Sequence, residues 1–156
     1  MLNVVNPYTF DSAILPYRVD VLAWSSVDGS SGVTYTRSQS STILGGGVAG
    51  QSNAANADDG DYMEWDVLVD AGTYRIDLFI ITATDRAIHD VLIDGSSIGT
   101  TDGYSAGTVR NVVASFTGVA LAAGHHTVRV AANGKNASST DYFISPQSLT
   151  LTRTGA

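Results

Sequence analysis

Apolar and polar residues alternate with a period of two through most of the chain after Gly60, the pattern of strands with one face buried. From Tyr62 to Val69, Met63, Trp65, Val67 and Val69 fall on one side, with Glu64 and Asp66 on the other. Thr73–Ile81 (TYRIDLFII) places Tyr74, Ile76, Leu78 and Ile80 on one face. Ala87–Asp94 and Ile98–Thr100 flank Asp94-Gly95-Ser96-Ser97, a turn in which Gly95 is suited to a positive φ. Val109–Phe116 and Val119–Leu121 follow, set apart by Gly118. Ala122-Ala123-Gly124 turns the chain into His125–Ala132, where His126, Val128, Val130 and Ala132 share a face. The final strand is expected at Ser148–Arg153, with Leu149 and Leu151 inward and Pro146 interrupting its approach.

The first sixty residues are less regular. Pro16–Trp24 reads as a strand with Tyr17, Val19 and Val21 on one face, and Val33–Arg37 as a short strand after a Ser/Gly turn. Ser38–Gly60, with its Gly45–Gly47 triplet and Ser/Asn/Ala content, reads as an extended loop, a functional surface or a subunit-packing segment. No amphipathic helix longer than two turns and no solenoid repeat is evident. About eight to ten short strands at this spacing predict an all-β fold, a two-sheet antiparallel β-sandwich of the jelly-roll kind. Residues 61–156 would form the sandwich and residues 1–60 its N-terminal strands and attachment segment, joined in part into one domain.

Charge narrows the partners. The chain of 156 residues carries a net charge of −7, with one lysine (Lys135), seven arginines, one glutamate (Glu64) and fourteen aspartates. Such a surface repels phosphate backbones and anionic membranes, so neither nucleic-acid binding nor membrane insertion is expected. No apolar run approaches the ~20 residues of a membrane-spanning helix. Most aspartates read as turn residues bonding their own backbone. Cysteine is absent, which excludes disulfides and thiolate metal sites. The N-terminus lacks a basic region followed by an apolar stretch and is not read as a signal peptide.

The segments GDYMEWDVLVDAGTYRIDLFI, VLIDGSSIGT and VALAAGHHTVRV together resemble the jelly-roll carbohydrate-binding modules of the galactose-binding-like superfold. Tyr74, Asp94, Gly95, Gly124, His126 and Val128 match that pattern over roughly Asp61 to Arg153. A narrower resemblance, to bacteriophage tail-fibre, spike and head-decoration domains, rests on three ordered elements. They are Asp85-Arg86, Tyr104-Ser105-Ala106 and Asn133-Gly134-Lys135-Asn136-Ala137-Ser138-Ser139. It implies a non-enzymatic virion surface protein, made in the host cytoplasm, forming a homotrimer on the particle with other virion proteins and offering loops to host glycans. The alternative is a monomeric carbohydrate-binding module.

A sugar site needs an aromatic face for the apolar side of a pyranose and polar groups for its hydroxyls. The candidates are Tyr104, Tyr142 and the polar loop residues Asn133, Lys135 and Asn136, with Trp24 as a further aromatic. Each tyrosine has a competing reading as a core or interface residue, and Trp24 reads rather as core. Asp58, Asp59 and Asp61 supply three carboxylates in four residues, a set that suits calcium, although a solvated turn is the favoured reading. No other cofactor is expected. Catalysis is not expected either. His125 and His126 are adjacent on a strand and point to opposite faces, no nucleophile-elbow pattern occurs, and Glu64 is the sole glutamate.

Overall fold

A computed structural model of the protein describes residues 17–19, 25–28, 33–39 and 50–156. Among them lie β1 (Tyr17–Val19), β2 (Ser26–Asp28), β3 (Thr34–Gln39), β4 (Gly50–Ala55), β5 (Tyr62–Val69), β6 (Gly72–Thr82), β7 (Ala87–Ile93), β8 (Ser96–Asp102), β9 (Val109–Leu121), β10 (Gly124–Lys135) and β11 (Pro146–Gly155). A four-stranded sheet has the order β1-β11-β6-β9 and a five-stranded sheet the order β2-β5-β10-β7-β8, with β3 and β4 forming a separate pair. Pairing within the sheets is antiparallel throughout. The architecture is the expected all-β sandwich.

The alternation sets the core. Met63, Trp65 and Val67 of β5, Val128 and Val130 of β10 and Val91 of β7 face Tyr74, Ile76, Leu78 and Ile80 of β6 and Leu149 and Leu151 of β11. Each side chain so buried contributes roughly 1.5–3 kcal/mol. One aromatic core residue keeps a polar link, the Tyr74 hydroxyl donating to the Asp70 carbonyl at 2.8 Å.

Three expectations change. Gly50–Ala55, expected within a loop, is a strand paired with β3. It carries no apolar alternation to announce it, and Ala54 is held by exchanged backbone bonds with Ile144. Gly118 does not divide two strands. It sits inside β9 at φ 74°, where the register with β6 shifts between Tyr74 and Ile76. Pro146 does not interrupt β11 but begins it, at a register shift that tolerates the missing N–H. Most of the strand expected at Pro16–Trp24, with Trp24 itself and Gly45–Gly47, lies outside the described residues.

Candidate functional site

One end of the sandwich gathers four connections: residues 56–61, 83–86, 103–108 and 136–145. Backbone bonds lace the last three together. Ala83 N–H donates to the Gly103 carbonyl, Gly103 N–H to Ala87, Ser105 N–H to Ala83, Thr140 N–H to Thr84, and Phe143 N–H to Asp85, all at 2.9–3.1 Å. Gly103 is forced at this crossing. A Cβ there would stand 2.5 Å from the Ala87 carbonyl oxygen and 2.6 Å from the His89 ring.

Beneath the loops lies a buried polar cluster. Arg86 pairs with Asp85, donates from Nε to the Ser145 hydroxyl at 2.9 Å and stacks over the Phe143 ring at 4.0 Å. Ser145 in turn donates through its hydroxyl to the Ile81 carbonyl and through its N–H to His89 Nε2 at 3.4 Å. His89 is fully buried, and burial first, then the charge of Arg86, push its pKa down to about 4. It is therefore a neutral ring accepting at Nε2. Burial also lowers the Arg86 pKa, opposed by Asp85. Ser139 closes the cluster from above, its hydroxyl donating to the Arg86 carbonyl at 2.8 Å.

On this base sit the residues expected to meet a sugar. Asp102 accepts the Tyr104 N–H through Oδ1 at 2.8 Å, an Asx turn, and the Asn136 amide through Oδ2 at 2.7 Å. Tyr104 and Asn136, distant in sequence, thus share one carboxylate. Asn136 Oδ1 accepts the Ser138 N–H, which fixes its amide orientation. The Lys135 ammonium lies 4.6 Å from the centroid of the Tyr142 ring. Tyr142 also packs against the core, so its ring is partly a core residue as well as a loop one. Tyr104, Lys135, Asn136 and Tyr142 therefore fall on the same end, with Asp102 joining Tyr104 to Asn136. Asn133 stands apart, exposed on β10 beside the acidic turn.

That turn is stitched by hydrogen bonds. Asp61 Oδ2 accepts the Asp58 N–H at 2.7 Å, and Asp59 Oδ1 accepts the Gly134 N–H at 2.6 Å. Gly60 N–H bonds the Ala132 carbonyl. Two of the three carboxylates expected for calcium are thus engaged by backbone, and among the described residues no group of three metal-ligating side chains converges. Asp58, Asp59 and Asp61 fit the turn reading better than a calcium site.

Asp102 was visible in the sequence only as a turn residue, and Asp85-Arg86 only as a local ion pair. What they join comes from β7, β8 and β10 running side by side. Nothing in the local pattern signals it.

No family model matches the sequence, and no curated protein matches it. Solved structures do. A Paenibacillus xanthan lyase matches 89% of the chain at 24% identity with a TM-score of 0.67, but the chain spans only 13% of that enzyme. A family 6 carbohydrate-binding module from Clostridium cellulolyticum, solved with xylose, matches 88% of the chain at 18% identity with a TM-score of 0.57. The carbohydrate-binding module CBM36, solved with calcium and xylotriose, matches 86% at 12% identity with a TM-score of 0.53. The chain spans 97% of each of these two modules. The likeness is one of fold, and the fold is the jelly roll of carbohydrate-binding modules.

Proposed function

We propose that the protein is a non-catalytic carbohydrate-binding module whose ligand site is the loop end. The observation that carries this is the convergence of Tyr104, Asp102 and Asn136 on a laced, rigid base. Tyr104, half-buried, supplies an aromatic surface for a pyranose, while Asn136 and Lys135 supply donors and Asp102 an acceptor for hydroxyls. Because the loops bond to each other before any ligand arrives, little ordering entropy is spent on binding. The likeness of fold to modules solved with xylose and xylotriose supports the reading and favours it over the virion reading. Catalysis has little support. His89 is buried and neutral, His126 is bound on both ring nitrogens, and His125 is exposed on the opposite face of β10.

The test is affinity electrophoresis against xylan, mannan, galactan and β-glucan, followed by calorimetry on whichever polysaccharide retards the protein. Tyr104→Ala and Asn136→Ala are each expected to weaken binding about tenfold or more, or 1.4 kcal/mol, with an unchanged melting temperature. Binding that survives both substitutions moves the site elsewhere, and retardation by none of the four removes the proposal. A multimeric virion setting, in which several copies gain avidity together, is the second reading. It rests on the three phage-like segments, which all fall in the loop end.

A further inference from the structure

At the end opposite the loop site, the β7–β8 hairpin turns through Asp94 (φ 49°) and Gly95 (φ 79°), the two positive values of a type I′ turn. Asp94 reaches across to β10. Its Oδ1 accepts the Thr127 N–H at 2.8 Å, and its Oδ2 lies 2.6 Å from Nδ1 of His126. The other ring nitrogen, Nε2, lies 3.0 Å from the carbonyl oxygen of Ala122, at the end of β9. The imidazole is almost covered, with 11% of its side chain exposed.

Both partners are acceptors. A carboxylate and a carbonyl oxygen have no proton to give, so the ring satisfies both only with a proton on each nitrogen. A neutral imidazole has one N–H and must abandon one side. We propose that His126 is a pH-operated clasp, which as imidazolium ties the β7–β8 hairpin to the β9–β10 turn, and as imidazole releases one of them.

The surroundings leave this to one charge. The β9–β10 turn, Ala122-Ala123-Gly124, has no titratable side chain. β5 sets Val67 opposite His126, with Asp66 on that strand's other face, and Asp70 lies beyond Val69 in the following turn. His125 points to the opposite face of β10. Asp94 is the charged group that acts on the ring, and its hydrogen bond, then that to Ala122, raises the His126 pKa above 6.5. The bond from His126, then that from the Thr127 N–H, holds Asp94 below its ordinary value.

The test uses two-dimensional NMR of the full chain with ¹⁵N-labelled histidine across pH 5 to 9, with hydrogen exchange of the hairpin amides in parallel. His126 is expected to titrate above the 6.5 of an unperturbed histidine, with both its nitrogens protonated at pH 6. Protection of the Asp94–Ser97 amides is expected to fall, beyond the intrinsic pH dependence of exchange, through that same transition. Asp94→Asn is expected to bring the His126 titration down towards 6.5. His126→Gln, which keeps one donor, is expected to give hairpin protection that no longer varies with pH. A His126 titration at or below 6.5, or hairpin protection that does not follow His126, overturns the clasp. None of these readings depends on whether a glycan binds at the other end.

Discussion

The two ends of the sandwich each hold a covered histidine, and their surroundings move the two pKa values in opposite directions. At the loop end His89 is fully buried beside the cation Arg86, and its pKa is pushed down to about 4. At the hairpin end His126 faces a carboxylate and a carbonyl, and its pKa is raised. The residue type is the same, and the neighbours decide. The ends also differ in how they are tied. The loop end is laced by backbone bonds among three connections with a buried cation below, whereas the hairpin end has short turns and side-chain links such as the clasp. A surface presenting ligand groups needs the first kind of construction, because each loop fixes its neighbours.

The contrast can be broken most strongly at the loop crossing. Gly103→Val is expected to cost about 3 kcal/mol, the upper range for overpacking, because the new side chain meets the Ala87 carbonyl, the His89 ring and the Arg86 Cβ. Urea denaturation measures it, and a loss under 1 kcal/mol means that the loops yield more easily than their bonding suggests.

Acidification comes next. A histidine whose folded pKa is depressed stabilises above its unfolded value of 6.5 and loses that contribution as pH falls towards about 4. The gap is worth about 3 kcal/mol if His89 stays buried throughout. His126 has the reverse sign: its contribution is complete below 6.5 and is lost as pH rises through its raised folded value. Asp94 adds stability above 3.8 that disappears as pH falls through its lowered value. Stability curves from pH 4 to 9 are therefore expected to fall on the acid side mainly through His89 and only slightly on the alkaline side, since Asp94 is half-exposed and solvent screens it. His89→Gln should flatten the acid limb and leave the alkaline limb in place.

A smaller effect is expected at Arg86. Arg86→Met keeps much of the stacking volume over Phe143 but leaves Ser145 without its donor and Asp85, which is partly exposed, without its partner. The expected cost is about 2 kcal/mol. The sharper readout is the His89 titration, which should rise once the neighbouring positive charge is gone. An unmoved His89 pKa assigns its depression to burial alone.

Much of the fold was legible because a half-buried strand has to alternate. Met63, Trp65 and Val67, or Leu149 and Leu151, announce both their strand and its inward face. β4 was not legible, since Gly50–Ala55 is small and polar and is held by pairing with β3 and Ile144 rather than by a hydrophobic stripe. Tyr104, Lys135, Asn136 and Tyr142 were identifiable as loop aromatics and polar groups. The junction of Tyr104 and Asn136 at Asp102 was not, because 34 residues separate Asp102 from Asn136.

The sequence by itself determined the all-β class, the inward faces, the Asp94-Gly95 turn and a net charge of −7. These follow from local rules: the period of two, the φ preference of Gly and the sum of charges. Only the tertiary structure decided which loops share an end, that His89 is neutral while His126 bridges two acceptors, and that the Asp59 carboxylate is engaged by the backbone of β10. Protonation and ligand geometry depend on groups brought together across strands. No pattern along one strand encodes a neighbour 30 or more residues away.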